Sequence, residues 1–552
     1  MSELLRSAAI RRIEAATMAS LPAGTLMSRA ADAVVDATAS LARSLEARRP
    51  IVAWVGPGNN GGDALLAALR LREFGFAARA IALDAQRTPG GDAGEIWRLA
   101  RSRGFPIEGA HAWEELLSPA PGRPAAPLPP IVIDGLFGIG LQRPLAADIA
   151  ALCERIAQRR WPVVAVDVPS GIDADTGARL GSSAVRASVT VTMIADKPGL
   201  RTGAALDHAG DVRVADLGIG ITQRQAALDG VPPVDRGRLF DREQASAAAL
   251  ARRASDTSKG SFGSVLCYGG APGMHGAVLL AARGAQAIGV GRIYVGTPQG
   301  SLFDAGQPQW MSAASDVGFG RFDSIAIGCG LGDSADARAA VRRAIAEARA
   351  LVVDADALNA IAADEALTDA LEAKSLDARG TASAANGEPL EANTQTLEAN
   401  AQPLAARGEA LRCTVTPHPL EAARLLRVDV PRIQSDRIGA ACALAAKLRC
   451  VALLKGAGSV VATPAGRWSI VDAGSPALAS AGTGDVLAGA CAALLARGLD
   501  AERAACLGAW LHGEAGRAWA REHRTEDGLS AAELHEWIRS VAAGLRSAEG
   551  FG

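Results

Sequence analysis

The chain has 552 residues, more than one ordinary hydrophobic core accommodates, so we expect two or more domains. Apolar residues make up 49% of the chain, charged residues 21%, and the formal net charge is only −2, which argues against binding to nucleic acid or to an anionic membrane. The eight cysteines form no CxxC pair, and no charge-free apolar run reaches about 18 residues, so we expect a reduced, cytoplasmic protein without a transmembrane helix.

Short β-branched segments alternate with longer helical patterns along most of the chain. The segments predicted as strands are 51–55, 131–133, 163–166 and 189–192 in the first half, and 264–267, 325–327, 351–353 and 451–454 in the second. This alternation predicts α/β domains in which parallel sheets are covered by helices on both faces.

Two composition changes predict the domain organisation. The strand–helix alternation lapses between residues 223 and 258, around Val231-Pro-Pro-Val234. We therefore predict domains at 1–222 and 240–552, joined by a linker at 223–239. Residues 372–409 contain a near-duplicated Leu-Glu-Ala-Asn-x-Gln-x-Leu motif with few aromatic or β-branched residues, which predicts a flexible surface insertion in the second domain.

The first domain carries polar and glycine-rich segments after three predicted strands. Gly56-Pro-Gly-Asn-Asn-Gly-Gly-Asp63 follows the first strand and precedes a helix, while Asp134 and Asp167 end two later strands. A single aspartate at such a position is usually a cap or a turn residue. Because ligands of parallel sheets bind beyond the carboxyl ends of the strands, three such segments together predict one binding crevice.

The order of these motifs resembles the NAD(P)H-hydrate epimerases over about residues 10–218. The resemblance covers Gly-Asn-Asn-Gly-Gly-Asp, Asp-x-x-x-Gly-x-Gly, Asp-x-Pro-Ser-Gly-x-Asp-Ala-Asp-x-Gly and Lys197-Pro-Gly, and includes an N-terminal helix ending near Leu26. It implies a Rossmann-like three-layer αβα domain and a potassium ion held by Asn60, Asp134 and Ser170. It also implies contacts with the hydrated nicotinamide nucleotide from Asn59, Asn60, Gly61, Gly62, Asp63, Gly138, Ile139, Gly140, Leu141, Gln142, Arg143, Pro144 and Asp167.

Epimerisation at C6 of a hydrated nicotinamide requires an acid–base group for the loss and return of a hydroxyl group or a proton. Asp167 is our candidate for that group, with Lys197 as its electrostatic partner.

The second domain also contains glycine-rich turns and polar residues, some directly after predicted strands and one, Gly482–Asp485, directly before an apolar helix. They include 327–332, the Asp354/Asp356 pair, His418 between two prolines, Lys455-Gly-Ala-Gly-Ser459 and Gly482-Thr-Gly-Asp485. Each has a structural alternative: a plain turn, solvated charges, a rigid loop residue or a helix cap. Lys455–Ser459 is more specific, because a cation within an amide-rich turn suits a nucleotide phosphate.

The ordered set resembles the ADP/ATP-dependent NAD(P)H-hydrate dehydratases, a branch of the ribokinase-like kinases, over about residues 240–550. This implies a ribokinase-like αβα domain that uses Mg²⁺ with ADP or ATP as co-substrate. It implies contacts with the hydrated substrate from Ala277, Gly332, His418 and Asp485, and nucleotide contacts from Lys455, Gly456, Ala457, Gly458, Ser459 and Gly484. The chain departs from the family pattern at Ser258, Gln309, Cys329 and Leu420.

The two resemblances together imply one polypeptide that epimerises NADHX and NADPHX at C6 and dehydrates the S epimer. Asp485 would deprotonate the C6 hydroxyl for attack on the terminal phosphate, and the phosphate ester would then leave. We favour ADP, which would yield AMP and phosphate, and expect a homo-oligomer. One alternative is a ribokinase-like kinase of a vitamin or another small molecule, with a non-catalytic N-terminal binding domain.

Overall fold

The computed structural model describes residues 3–45, 49–117, 128–250, 253–377 and 412–547. These residues divide into two compact units, with the boundary between Gly237 and Arg238. Of the predicted linker, residues 223–228 belong to a helix and 236–239 to a strand. Among the described residues, none of the helices combines the length and the hydropathy that a membrane-spanning segment needs.

The strands and helices of the N-terminal unit alternate along the chain. The strands are β1 Glu3–Leu5, β2 Ile51–Val55, β3 Ala78–Ala82, β4 Ile107–Glu108, β5 Ile131–Gly135, β6 Val163–Val166, β7 Val189–Met193 and β8 Asp211–Ala215. The helices are α1 Ser7–Met18, α2 Thr25–Ser44, α3 Asn59–Glu73, α4 Gly91–Ser102, α5 Ala112–Leu117, α6 Ala147–Gln158 and α7 Ile221–Leu228.

The sheet of this unit has the order β4-β3-β2-β5-β6-β7-β8, and all of its neighbouring strands are parallel. Side chains of a strand point alternately to the two faces of a sheet. Ile51, Ala53 and Val55 accordingly pack with helices α1 to α4, whereas Val52 and Trp54 pack with α5 and α6. Helices therefore cover both faces, which confirms the predicted αβα arrangement.

The prediction of an N-terminal helix that ends near Leu26 is wrong. Helix α1 ends at Met18, and α2 begins at Thr25 after Gly24, whose φ is +74°. Pro22 lies in the connection. Proline lacks a backbone N–H, and glycine readily adopts a left-handed conformation, so this segment separates two helices.

The C-terminal unit is also of the α/β type. Its strands are β9 Arg236–Phe240, β10 Ser264–Tyr268, β11 Arg292–Thr297, β12 Gly300–Ser301, β13 Met311–Ala313, β14 Ser324–Ile327, β15 Ala350–Val353, β16 Arg412–Val415, β17 Val451–Leu454, β18 Val460–Ala462 and β19 Trp468–Val471. Its helices are α8 Arg242–Ala247, α9 His275–Ile288, α10 Ala335–Glu347, α11 Ala355–Ala363, α12 Glu365–Asp377, α13 Pro419–Leu426, α14 Val430–Ser435, α15 Arg437–Leu448, α16 Thr483–Ala496, α17 Ala501–His523 and α18 Ala531–Ser547.

The strand order from β9 onward is β9-β19-β18-β17-β16-β15-β14-β10-β11-β12. Strands β11, β10, β14, β15, β16 and β17 run parallel, while the β17–β18 and β18–β19 pairs are antiparallel. Helices α9, α16, α17 and α18 share one apolar core with these strands. All residues of β10, β14 and β15 are buried, as expected for strands covered on both faces.

The predicted insertion at 372–409 begins later than its composition indicated. Residues 372–377 form the end of helix α12, in which Leu371 has no exposed surface and Ser375 is buried. Packing of these two residues against the unit explains why this part is helical. Residues 378–409 lie outside the described residues.

Candidate active sites

The carboxyl ends of β5 and β6 bring two carboxylates to one edge of the N-terminal sheet. Asp134 is the penultimate residue of β5, and Asp167 directly follows β6, its parallel neighbour. Asp167 has a φ of +68°, a left-handed conformation that is uncommon for a residue other than glycine. Such strain tends to occur at functional sites, where the surrounding structure holds it in place.

Asp134 is fully buried and forms hydrogen bonds with Ser170. Its carboxylate accepts hydrogen bonds from the Ser170 backbone N–H at 2.8 Å and from the Ser170 hydroxyl at 2.7 Å. The Ser170 Oγ also lies 3.3 Å from the carbonyl oxygen of Phe137. Burial raises the pKa of Asp134 to about 6, although its hydrogen bonds with Ser170 oppose the rise.

These oxygens suit a hard cation. Carboxylate, hydroxyl and carbonyl oxygens meet at Ser170, and such donors are those that alkali and alkaline-earth ions prefer. The Nδ2 atom of Asn60 is buried and makes no hydrogen bond within the described part of the chain. Because the two ends of an amide are assigned from their partners, turning this amide over would present an oxygen there instead. The predicted potassium ligands are thus compatible with a monovalent cation.

Asp167 forms a buried ion pair with Lys197. The Lys197 Nζ lies 2.7 Å from the Asp167 Oδ1, and the lysine side chain has no exposed surface. The same ammonium donates hydrogen bonds to the Thr192 Oγ1 at 2.8 Å and to the Met193 carbonyl at 3.0 Å. The Met193 backbone N–H in turn donates to the Asp167 Oδ1 at 3.1 Å. Lys197 therefore fixes the position of the Asp167 carboxylate.

A cavity of about 920 Å³ lies beside this ion pair. Its walls include helix α1, the start of α3, the loop after β5 and Asp167. Burial raises the pKa of Asp63 well above its usual range, and the Asp167 carboxylate adds to the rise. Burial also raises the pKa of Glu14, again with a contribution from Asp167. Two carboxyl groups of the cavity, those of Asp63 and Glu14, thus have pKa values above their usual range.

Most of the nucleotide-contacting residues predicted for this domain line the cavity, namely Asn59, Asn60, Asp63, Gly138, Ile139, Gly140, Leu141, Gln142, Arg143 and Asp167. Gly61, Gly62 and Pro144 are not among its lining residues. A Cβ at Gly61 would lie 2.1 Å from the carbonyl oxygen of Gly56. Gly61 is therefore required for close packing of α3 on the preceding loop.

In the C-terminal unit, Asp485 lies in the first turn of helix α16. Gly482 precedes this helix with a φ of +87°, and the helix start has no side-chain capping hydrogen bond. Burial raises the pKa of Asp485 to about 6, and the nearby Asp354 carboxylate adds to the rise. A carboxyl group with this pKa is largely ionised at neutral pH and suits a general base.

Lys455 begins the hairpin loop 455–459 between β17 and β18. Its ammonium lies 2.6 Å from the Asp354 Oδ1, and Asp354 is only 2% exposed. Burial by itself lowers the pKa of Lys455, but the Asp354 and Glu421 carboxylates outweigh it and raise that pKa overall. A Cβ at Gly484 would lie 3.3 Å from the Lys455 Nζ. The loop and the start of α16 therefore meet at this ammonium.

The predicted alternative of solvated charges is wrong for Asp354, which is buried against Lys455.

The buried thiol of Cys329 lies beside the carboxylates of Asp354 and Asp485. The Sγ of Cys329 and carboxylate oxygens of Asp354 and Asp485 all lie within 4.8 Å of one another. A hydrogen bond between the thiol and the carboxylate lowers the pKa of Asp485 and opposes the effect of burial.

His418 has a structural role at the start of helix α13. Its Nδ1 accepts hydrogen bonds from the backbone N–H groups of Leu420 and Glu421, and the Glu421 carboxylate accepts one from the His418 N–H, which forms a capping box. Burial lowers the pKa of His418 and raises that of Glu421 to about 7. The imidazole remains 45% exposed.

The remaining residues predicted for this site lie on nearby loops and one helix. The Gly332 N–H donates to the Asp356 Oδ2 at 2.8 Å, and Gly332 has a φ of +76°. Ala277, on α9, would lie 3.0 Å from a Cβ at Gly330. In the hairpin loop the Ser459 hydroxyl donates to the Gly456 carbonyl at 3.2 Å, while Ala457 and Gly458 connect these two residues.

Comparisons with known proteins match both units. A family model described as "YjeF-related protein N-terminus" matches residues 23–199, and one described as "NAD(P)H-hydrate dehydratase" matches 265–375 and 393–540. The bifunctional NAD(P)H-hydrate repair enzyme of Gloeobacter violaceus is 33% identical, over 96% of this chain and 96% of its own length. The corresponding enzyme of Moorella thermoacetica is 31% identical, over 95% of this chain and 93% of its own length.

The chain belongs to the bifunctional NAD(P)H-hydrate repair enzymes. A solved ADP/ATP-dependent NAD(P)H-hydrate dehydratase from Bacillus subtilis, co-crystallised with ATP/Mg²⁺, is 25% identical over 56% of this chain and 99% of that one, with a TM-score of 0.44. The second family model leaves residues 376–392 unmatched, within the segment predicted as an insertion.

For this member of the repair enzymes, sequence reasoning missed several residues at the two sites. Glu14, Cys329, Glu421 and Arg437 were not proposed as site residues, and Asp354 was left with a structural alternative. Glu421 follows His418 at the spacing of a capping box, a signal that was available. The others lie far in sequence from the groups that they approach, so only the folded chain brings them together.

Proposed function

We propose that the N-terminal site interconverts the R and S epimers of hydrated NADH and NADPH at C6. The ion pair between Asp167 and Lys197 beside the 920 Å³ cavity carries this proposal. The carboxylate is held at the cavity by a buried ammonium and a backbone N–H, so it is positioned to exchange a proton with a bound substrate. The family of the chain supports this choice of substrate.

A potassium ion would be held by Asn60, Asp134 and Ser170, and its charge would favour binding of the anionic diphosphate of the substrate. These residues also connect the chain segments between which the ion would lie. Ser170 links the end of β5 to the loop after β6, because its hydroxyl and its N–H both donate to Asp134.

The C-terminal site is proposed to dehydrate the S epimer with ADP or ATP. Asp485 removes the proton of the C6 hydroxyl, whose oxygen attacks the terminal phosphate of the nucleotide. The C6–O bond of the phosphate ester then breaks, with the ring nitrogen supplying electrons, and proton loss from the ring restores the dihydronicotinamide. With ADP the products besides NAD(P)H are AMP and phosphate.

The hairpin loop of this site is proposed to bind the nucleotide phosphates. Lys455 supplies a positive charge, and Gly484 lies beside its ammonium. The backbone of Gly456, Ala457, Gly458, Ser459 and Gly484 would bind the phosphate oxygens. Asp354 is paired with Lys455 and Asp356 accepts from the Gly332 N–H, so one oxygen of each carboxylate is already engaged. Mg²⁺ would therefore be held chiefly by the nucleotide phosphates, whose charge it would neutralise.

One experiment tests both activities. A mixture of R and S hydrates is incubated with the protein, Mg²⁺, K⁺ and either ADP or ATP, and absorbance at about 340 nm reports restored dihydronicotinamide. We expect both epimers to be consumed and free phosphate to be released. Conversion that stops at the S fraction would contradict an active N-terminal site, and a stable phosphorylated product would indicate a small-molecule kinase instead.

A further inference from the structure

One of the carboxyl groups that line the N-terminal cavity, that of Glu14, has no role in the proposed reaction. Glu14 lies in helix α1 and lines the same cavity as Asp167. Its side chain is half-buried. Within the described part of the chain, the Glu14 carboxyl makes no hydrogen bond and no ion pair, so a bound ligand is free to use it.

The charges around Glu14 keep a proton on it more readily than on an exposed glutamate. Burial raises its pKa most, and the negative Asp167 raises it further, while Arg11 and Lys197 lower it. Asp63, another carboxyl at the cavity wall, interacts with both Glu14 and Asp167. The Arg11 guanidinium donates a hydrogen bond to the Ile139 carbonyl oxygen at 3.2 Å.

Asp167 differs from Glu14 because a lysine ammonium touches it. The Lys197 Nζ is 2.7 Å from the Asp167 Oδ1, whereas within the described residues no cation contacts the Glu14 carboxyl. Two carboxyl groups in such different surroundings can serve as the acid and the base of one reaction.

We propose that Glu14 is a second catalytic residue of epimerisation, acting as the acid that protonates the departing C6 hydroxyl while Asp167 acts as the base. This inference rests on the proposed epimerase function. The two groups come from different walls of the cavity, Glu14 from helix α1 and Asp167 from the end of β6. We expect a ring bound between these two walls to meet one carboxyl group on each face.

Breaking and re-forming the C6–O bond requires only the electrons of the substrate and of water. Glu14 transfers its proton to the C6 hydroxyl, the C6–O bond breaks, and water leaves with that electron pair. The ring nitrogen lone pair forms a double bond to C6, which gives a planar cation. Water then attacks the opposite face of C6, the π pair returns to nitrogen, and Asp167 takes the proton from the added water. Exchange with solvent restores Glu14 and Asp167, and the reverse direction exchanges their roles.

The test follows epimerisation alone, in the full-length protein with K⁺ but without nucleotide. An R-enriched hydrate is equilibrated by wild type, Glu14→Gln, Glu14→Asp and the control Glu95→Gln, and the R/S ratio is measured by chromatography. Glu95 is exposed on helix α4 and does not line the cavity. Incorporation of ¹⁸O from labelled water into the C6 hydroxyl is measured in parallel.

We expect Glu14→Gln to slow epimerisation about 100-fold or more, the usual range for loss of a general acid. Isotope incorporation should fall by the same factor, whereas Glu95→Gln should match wild type. The wild-type rate should fall as pH rises through the pKa of Glu14, and Glu14→Gln should lack this alkaline limb. Glu14→Asp, which keeps a carboxyl group one methylene farther away, should retain an intermediate rate.

A wild-type rate in Glu14→Gln would overturn the assignment of Glu14 and leave the proposed epimerase function intact. Dehydration of the S epimer by the same preparation reports on folding. If Glu14→Gln does not fold, a wild-type rate in Glu14→Ala, which also lacks the carboxyl group, would overturn the assignment equally. A wild-type protein that leaves the R/S ratio unchanged would instead overturn the proposed function itself.

Discussion

The Lys455 ammonium lies 2.6 Å from the carboxylate of Asp354, a residue that is 2% exposed. Asp354 follows strand β15, whereas Lys455 follows β17, with strand β16 between them. The pair joins the two strand ends beneath Gly484, at the start of helix α16. It thereby holds the cation of the proposed nucleotide loop next to the proposed base, Asp485.

Removal of the Asp354 carboxylate should destabilise the C-terminal unit. We expect Asp354→Asn to lower the free energy of unfolding by about 3–5 kcal/mol, because it leaves a largely buried ammonium without its partner. Denaturant unfolding measures this change. The control Glu502→Gln breaks the more exposed pair with Arg467 and should cost at most about 1 kcal/mol. Equal stability of the two variants would contradict the prediction.

The dehydration rate should depend on pH through Asp485. Because the base must be ionised to accept a proton, kcat/KM should rise as pH increases through the Asp485 pKa of about 6. Asp485→Asn should lower kcat by about 10²–10⁴-fold. Steady-state rates on the S epimer at saturating nucleotide measure both effects. A profile without an acidic limb would argue against Asp485 as the base.

Cys329 should modulate that acidic limb. The thiol lowers the pKa of Asp485 by donating a hydrogen bond, so Cys329→Ala should move the limb to higher pH. Cys329→Ser, which keeps a donor, should move it less. Cys506→Ala removes a buried thiol of helix α17 and serves as the control. Identical pH profiles for Cys329→Ala and wild type would exclude this contact as a determinant.

Arg437 should position the proposed nucleotide loop, 455–459, through hydrogen bonds to the backbone at its start. Its guanidinium donates to the carbonyl oxygens of Leu454 at 3.4 Å and Lys455 at 3.1 Å, and to the Gln434 Oε1 at 2.7 Å. Burial lowers the pKa of Arg437 to about 10, so the group stays charged at neutral pH. A Cβ at Gly456 would lie 2.9 Å from the guanidinium, so the contact is close.

We expect Arg437→Met to raise the KM for the nucleotide by about tenfold to hundredfold, with a smaller change in kcat at saturation, because the loop would lose its alignment. Arg437→Lys should fall between this variant and wild type. The exposed Arg432, changed to Lys, is the matched control. A loss of stability with an unchanged KM would show that Arg437 supports only the fold.

Replacement of K⁺ by choline should slow epimerisation without affecting dehydration of the S epimer. Asp134 and Ser170, whose oxygens are proposed to bind K⁺, lie in the N-terminal unit, so the C-terminal activity of the same chain is an internal control. Ser170→Ala should weaken the response to added K⁺, measured as the K⁺ concentration for half-maximal rate. Equal epimerisation rates in the two salts would contradict the potassium site.

The strand–helix alternation and the glycine-rich turns were sufficient to predict two αβα units. Parallel strands buried on both faces require continuous apolar segments, and these are visible in the sequence at β2, β6 and β10. The extent of α12 was not predictable, because its last turn has the composition of the segment that follows. The break between α1 and α2 was missed although Pro22 and Gly24 mark it.

The candidate residues of the first domain were likewise predictable, because ligands of parallel sheets bind beyond the carboxyl ends of the strands and the motifs of Asp134 and Asp167 occur there. Asp485 was predictable from the glycine-rich turn that precedes an apolar helix. The sequence by itself determined which residue types occupy these positions. The folded chain decided which of them act on one another: Lys455 with Asp354, Lys197 with Asp167, and Glu14 with the cavity. Charge interactions and burial depend on distances in space, and residues separated by 101 positions, as Asp354 and Lys455 are, approach each other only through the packing of the sheet.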